Sequence, residues 1–370
     1  MSTRTPGWKA RVVAMVAGAL VLAGSAAAQS AQKTRNVVVI MSDGVRWQDV
    51  FRGADPALID ARSGGVSDTA DLRIRFGRTS RDEARKVLFP FLWSTVATQG
   101  ILYGDQDAGS VAAVTNGLKF SYPGYNETFS GHADPRIDSN DAVPNPNVTV
   151  FEWLNRQPGF EGKVAAFGTW DRFAEIVNEE RSGIPVYAGW EEPFPTAATP
   201  RQTQLNELYR TTTRLWHDVV YDSFLQQAVL EYVRARHPRV LFVGYGETDE
   251  WAHGRRYDHY LDSAHQADAF IAQLWSALQE MPEYRGTTTF LITTDHGRGG
   301  GPQDWTDHGK DVAGAENIWI GLLGPDTPAR GVVRSGRVTQ SQVAATVAAL
   351  LGLDFRGAAR AAAPPLTAQP

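Results

Sequence analysis

Three long, almost uninterrupted apolar runs mark the chain: residues 36–41, 239–245 and 287–294. Each is only six to eight residues long, rich in β-branched side chains and bounded by turn formers, which is the pattern of a strand buried on both faces of a parallel sheet. Each also stops at acidic residues. The first runs into Ser42-Asp43-Gly44, the second into Gly246-Glu247-Thr248-Asp249-Glu250, and the third into Asp295-His296-Gly297.

Helical spacing fills much of the remainder. The pattern predicts a helix over 88–102 with Pro90 in its first turn, a short helix over 148–155, and helical turns over 170–177. A long amphipathic region follows over 203–236, ended by His237-Pro238, then a helix over 257–281 and another over 339–351 with Thr339 as its N-cap. Further strands are expected at 163–168 and 317–323. Residues 51–85, polar and charged, read as a surface excursion; 119–147, dense in Gly, Pro, Asn, Ser and Tyr, as an ordered and functional loop; 179–201, with four prolines, as a surface loop. Residues 356–370 read as a disordered Ala/Pro-rich tail. Strands alternating with helices predict one α/β domain over 29–355 with a parallel or mostly parallel sheet.

Composition narrows this picture. With 370 residues, 42% hydrophobic and 10% aromatic, there is ample material for a core. A net charge of -5 and the absence of a Lys/Arg run argue against a nucleic-acid-binding surface. At the N-terminus Arg4, Lys9 and Arg11 precede the apolar stretch 12–24 and Ser25-Ala26-Ala27-Ala28-Gln29, the layout of a secretory signal peptide cut near Ala28. That stretch is short of the roughly 20 residues a membrane span needs. The mature chain is therefore expected to be periplasmic or secreted, without a membrane span. It has no cysteine to form disulfides.

The chemistry follows from the strand ends. Asp43, Asp249 and Asp295 would meet at the carboxyl edge of one sheet, where ligands bind in open α/β folds. Three clustered carboxylates repel unless a multivalent cation joins them. Histidines complete the donor set: His253 is four residues after Asp249, on the same helical face, His296 adjoins Asp295, and His308 lies in the loop just downstream. Mixed oxygen and nitrogen donors suit zinc or manganese. His132, His217, His237, His259 and His265 have no such company; His259 and His265 fit a helix surface, and His132 could support the site from behind. Glu247 and Glu250 crowd Asp249, leaving open which carboxylate is the ligand. No Gly-x-Ser-x-Gly, His-Glu-x-x-His or GxxxxGK motif occurs. The remaining nucleophile candidate is Ser121 in Ser121-Tyr122-Pro123.

In order and spacing these residues resemble the alkaline phosphatase superfamily, in particular its type I phosphodiesterase and nucleotide pyrophosphatase branch. That branch has a strand-ending Asp, a Thr or Ser before x-Pro in a segment ending Thr-Gly, then Asp-x-x-Gly-His, Asp-His-Gly and a late His-Gly. Here the positions read Asp43-Gly44, Ser121-Tyr122-Pro123 continuing to Phe129-Ser130-Gly131, Asp249-Glu250-Trp251-Ala252-His253, Asp295-His296-Gly297 and His308-Gly309. The resemblance spans residues 36–353. It implies an alkaline phosphatase-like fold, a three-layer α/β/α sandwich with a mostly parallel central sheet, and two divalent metal ions, zinc in both sites. One would be held by Asp43, Asp295, His296 and the Ser121 oxygen, the other by Asp249, His253 and His308. Ser121 would attack phosphorus in a small-molecule phosphate ester and form a phosphoseryl intermediate.

Departures from the family pattern are informative. Ala252 replaces a glycine, and Gly124-Tyr125 replaces Asn-His after the proline. Sulfatases of the superfamily carry an arginine where Tyr125 stands. Phosphatases acting on monoesters often place an arginine directly after the nucleophile, where this chain has Tyr122, which favours diesters. A sulfatase or phosphonate hydrolase, or a non-catalytic metal- or anion-binding relative, are the alternatives on the same scaffold. Neither the physiological substrate nor the oligomeric state is legible.

Overall fold

The three apolar runs are adjacent strands at the centre of the sheet. A computed structural model describes residues 1–3 and 32–366; apart from its first three residues, the segment read as a signal peptide lies outside the described residues. The strands, in chain order, are β1 (Asn36–Ser42), β2 (Ile101–Tyr103), β3 (Ser110–Ala113), β4 (Val164–Gly168), β5 (Val186–Ala188), β6 (Val240–Tyr245), β7 (Thr288–Thr293), β8 (Asn317–Ile318), β9 (Ile320–Leu323), β10 (Gly331–Val332) and β11 (Gly336–Thr339). Among the described residues they form an eight-stranded sheet in the order β10-β2-β9-β7-β1-β6-β4-β5 and a small sheet β11-β3-β8. In the large sheet only β9 runs antiparallel to its neighbours, β2 and β7.

Register makes the strand ends converge. Met41 of β1 pairs with Gly244 of β6 on one side and Thr293 of β7 on the other, so all three strands finish at one level. Side chains alternate between two cores: Val37, Val39 and Met41 pack on one face, Val38 and Ile40 on the other. Helices Ser121–Ser130, Val150–Asn155 and Val343–Leu350 bury the first face; Asp222–Arg236 and Tyr257–Glu280 bury the second. The result is the expected three-layer arrangement. Each such buried aliphatic side chain contributes roughly 1.5–3 kcal/mol, so a deep core can hold clustered carboxylates at its edge against their repulsion.

Several local expectations are corrected. The stretch 119–147 is not all loop: residues Ser121–Ser130 form a helix whose ten residues are all buried. A helix enclosed on every side has no polar face, so it shows no amphipathic period. The helix expected over 88–102 forms over 90–99, apart from the preceding helix Arg81–Leu88, and is mostly a π-helical turn followed by Ala97–Gln99. Pro90 offers no N–H, and the Asp268 carboxylate accepts the Phe91 and Leu92 amides at 2.7 and 2.9 Å, starting a π-helical turn, Leu92–Val96, that leads into β2. Region 51–85 is more than surface, since Leu58, Ile59, Val66, Leu72 and Phe76 reach the core beneath charged outer faces. Region 179–201 contributes the edge strand β5, and 203–236 divides into helices Pro200–Thr211 and Asp222–Arg236. The run 317–323 splits between the two sheets as β8 and β9.

At Thr339 a capping box with Gln342 starts a 3₁₀ turn that leads into helix Val343–Leu350. Beyond it, described residues of the expected disordered tail are packed. Ala362 is buried, and the Ala363 amide donates to Gly131 O at 2.9 Å, because the end of helix Ser121–Ser130 leaves that carbonyl and an apolar surface to be covered.

Candidate active site at the carboxyl edge of the sheet

Asp43 directly follows β1, and Asp295 and His296 follow β7 after one residue. They form an inner triad, with His296 Nε2 at 3.4 Å from Asp43 Oδ1 and 3.3 Å from Asp295 Oδ2. All three are buried, His296 and Asp295 completely. His296 Nδ1 lies 2.9 Å from Gly297 O, which holds the Nδ1 proton there and turns Nε2 toward the carboxylates. Asp295 Oδ1 accepts the Gly44 amide at 3.1 Å, and Tyr125 donates its hydroxyl to Asp43 Oδ2 at 2.9 Å. That leaves Asp43 Oδ1 and Asp295 Oδ2 buried without a hydrogen-bond partner.

Ser121 reaches this triad from the first turn of its helix, with Oγ 3.4 Å from His296 Nε2. The approach is close because Gly124 packs on the Asp295 backbone: a Cβ there would fall 2.3 Å from Asp295 O. The loop entering Ser121 is also fixed. The buried Glu127 carboxylate accepts the amides of Thr115 and Asn116 at 2.9 Å, and Asn116 Oδ1 accepts that of Lys119 at 2.8 Å.

The outer triad is Asp249, His253 and His308. Helix Glu247–His253 puts Asp249 and His253 one turn apart, with Nε2 3.2 Å from Asp249 Oδ2. His308 Nε2 faces His253 Nε2 at 3.0 Å and lies 3.8 Å from Asp249 Oδ1. The triads touch: the His308 ring stacks on His296 with centroids 3.9 Å apart, and His296 Nε2 is 3.9 Å from Asp249 Oδ1. Every proposed ligand position is therefore brought into one of two clusters.

Electrostatics shows what the clusters lack. Burial, reinforced by the Asp43 charge, pushes the Asp295 carboxyl up to about 8. Burial opposes charging His296, but the Asp295 and Asp43 carboxylates outweigh it and push the imidazole up to about 9. Burial and then the His296 charge hold His253 and His308 below the usual histidine range, so their lone pairs are available. Unpartnered carboxylate oxygens and opposed imidazole nitrogens converging on two points fit a divalent cation in each triad.

The neighbours of Asp249 resolve which carboxylate joins the outer triad. Glu247 turns away, accepting the Asp222 amide at 2.9 Å and the Ser263 hydroxyl at 3.2 Å, and Glu250 belongs to neither cluster. The lone histidines lie elsewhere. His259 packs on Trp251, His265 contacts Leu88 O, and His132 contacts Ser130 O at the far end of the Ser121 helix. One buried side chain at the site carried no sequence signal. Arg298, in a glycine-rich turn, is fully buried and paired with Asp249.

The sequence profile of the type I phosphodiesterase / nucleotide pyrophosphatase family matches residues 78–350, well over half of the chain, and covers Ser121 and every triad member except Asp43. No curated protein matches the chain by sequence. Among solved structures, the chain is similar to a protein of the alkaline phosphatase superfamily from Vibrio parahaemolyticus, with 13% identity and a TM-score of 0.51 over 87% of this chain and 67% of that one. It is also similar to the lipoteichoic acid synthase LtaP from Listeria monocytogenes (10%, 0.55, 88% and 74%) and to the phosphonate monoester hydrolase SpPMH from Silicibacter pomeroyi (13%, 0.51, 90% and 78%). At such identities the likeness concerns the fold. The fold is thus alkaline phosphatase-like, the profile supports an ester hydrolase, and the chain belongs to the type I phosphodiesterase / nucleotide pyrophosphatase family.

Proposed function

We propose that the chain is an exported, metal-dependent phosphoric-ester hydrolase with Ser121 as its nucleophile and a preference for diesters. The observation that carries this reading is the position of Ser121 Oγ, 3.4 Å from His296 Nε2 and beside two carboxylate oxygens without partners. Asp43, Asp295, His296 and Ser121 would hold one divalent cation and Asp249, His253 and His308 a second, zinc by their donor chemistry, supplying Lewis-acid charge that acidifies the serine hydroxyl and offsets charge on the phosphoryl oxygens.

The chain's own groups do the rest. Ser121 Oγ attacks phosphorus, the bond to the leaving alcohol breaks, and a phosphoseryl ester forms; water then cleaves that ester and restores the hydroxyl. His296 holds its proton on Nδ1, toward Gly297 O, so that Nε2 stays turned to Ser121. Tyr125, whose hydroxyl burial keeps well above the ordinary tyrosine range, remains a neutral donor that orients Asp43. Tyr122 directs its hydroxyl to Val143 O at 2.6 Å, so it offers no clamp for the extra charge of a monoester. Tyr125 occupies the position where sulfatases carry an arginine, which favours phosphate over sulfate esters.

Export rests on the pattern of residues 4–29, and a mature N-terminus near Gln29 in secreted or periplasmic material tests it. The enzymatic reading is tested on purified protein with aryl phosphodiester, phosphomonoester and sulfate substrates. Turnover should be greatest on the diester and should vanish with a chelator or with Ser121→Ala. Full activity in that variant would overturn the mechanism, and dominant sulfate turnover would transfer the chain to the sulfatase reading.

A further inference from the structure

Arg298 makes no contact that a substrate could use, since it is completely buried. All of its nitrogens are nevertheless engaged. Nε donates to Gly44 O at 3.1 Å, Nη1 to Thr306 O at 2.6 Å, and Nη2 to Asp249 O at 3.4 Å while also pairing with Asp249 Oδ1. Each partner belongs to a segment that carries a proposed ligand. Gly44 adjoins Asp43, Thr306 is two residues before His308, Asp249 is itself in the outer triad, and Arg298 is two residues after His296. One guanidinium thus joins the end of β1, helix Glu247–His253 and both ends of the turn between His296 and His308. Space for it exists only because residue 44 is glycine. That position has φ +60°, and a Cβ there would lie 2.7 Å from Arg298 Nε and 2.8 Å from Nη2.

We infer that Arg298 is a positioning residue that locks the two triads into one unit and supplies the fixed countercharge that keeps Asp249 beside the inner carboxylates. This rests on the reading that the triads hold divalent cations. Its planar fork matters: three donor directions meet three different backbone segments, which a lysine ammonium on a flexible stem cannot reproduce. The orientation of Asp249 and His308 depends on it directly, and that of the inner triad only through Gly44, so its loss should weaken the outer ion more than the inner one.

The test compares wild-type protein with Arg298→Met and Arg298→Lys. Metal content after dialysis, zinc titration calorimetry on chelator-stripped protein, and Tm with and without zinc are read together with kcat and KM on an aryl phosphodiester. Arg298→Met should lose ~10–100-fold in affinity for one of two zinc ions, the scale seen when partners that orient metal ligands are removed. Its kcat should fall while KM stays within about twofold, as for an interaction realised in the transition state. Arg298→Lys, the milder change should Arg298→Met not fold, should restore part of the affinity. Two zinc ions bound with wild-type affinity and wild-type kcat in either variant would overturn the inference alone. So would equal drops in Tm with and without zinc at unchanged affinity, the result expected of a merely structural arginine. A wild-type protein that binds no zinc would overturn the underlying reading as well.

Discussion

The two triads contain the same kinds of donor but are built on different supports. The inner one stands on strand ends: Asp43, Asp295 and His296 extend β1 and β7, whose register is set by six residue pairs, and the Asp295 and His296 side chains are fully enclosed. The outer one stands on a seven-residue helix and a loop, and the His253 side chain is 46% exposed. Enclosure makes the inner triad exact but electrostatically expensive, as the raised Asp295 carboxyl shows. Exposure makes the outer triad cheaper to assemble and leaves it open to water. The difference places Ser121, the proposed nucleophile, on the enclosed side and contact with solvent on the other.

This contrast can be broken at several points. The largest effect should come from Ser121→Ala, which removes the bond-forming oxygen. A loss of kcat on the order of 10⁴-fold or more is expected, with the fold retained in circular dichroism. His296→Ala should abolish activity and also destabilise the protein by about 2–4 kcal/mol in urea unfolding, because it opens a cavity and strips two buried carboxylates of the imidazole between them. His253→Ala should spare stability to within about 1 kcal/mol, since its side chain is half-exposed. It should nevertheless weaken one ion by roughly 10–100-fold and lower turnover accordingly, as measured by zinc titration and kcat. Equal unfolding penalties at positions 296 and 253 would erase the distinction between the triads.

The smallest expected effect is a control away from both triads. Asp268, enclosed while accepting the Phe91 and Leu92 amides, has its carboxyl pushed up to about 6, chiefly by burial. A carboxyl raised in the folded state stabilises most below its unfolded value of 3.8 and loses that contribution as pH rises through about 6. Tm should therefore fall across that window relative to Asp268→Asn, equally with and without metal. A difference between the two proteins that vanishes on adding zinc would mean that Asp268 is coupled to the site after all.

Much of this was visible in the sequence, for identifiable reasons. β1, β6 and β7 were legible because strands buried on both faces leave continuous apolar runs, and their acidic ends stand out against them. The pairs Asp249/His253 and Asp295/His296 were legible because their geometry is local: one helical turn, or one strand end. The helix carrying Ser121 was not, because total enclosure removes the polar face by which a helix announces itself. Nor was β5, three residues in a proline-rich stretch, whose strand character comes from pairing with β4. The packed segment 356–366 likewise owes its order to surface offered by other parts of the fold.

Sequence alone thus carried the donor inventory, its order along the chain and the fold class, since these follow from residue type and short-range periodicity. Only tertiary structure decided how the donors divide into two clusters, why Asp249 rather than Glu247 or Glu250 joins one of them, and what Arg298 does. Those outcomes depend on which strands pair and how closely backbones approach, as where Gly44 admits a guanidinium and Gly124 lets Ser121 reach His296. Such contacts join residues up to 254 positions apart, as between Arg298 and Gly44, and no local pattern encodes them.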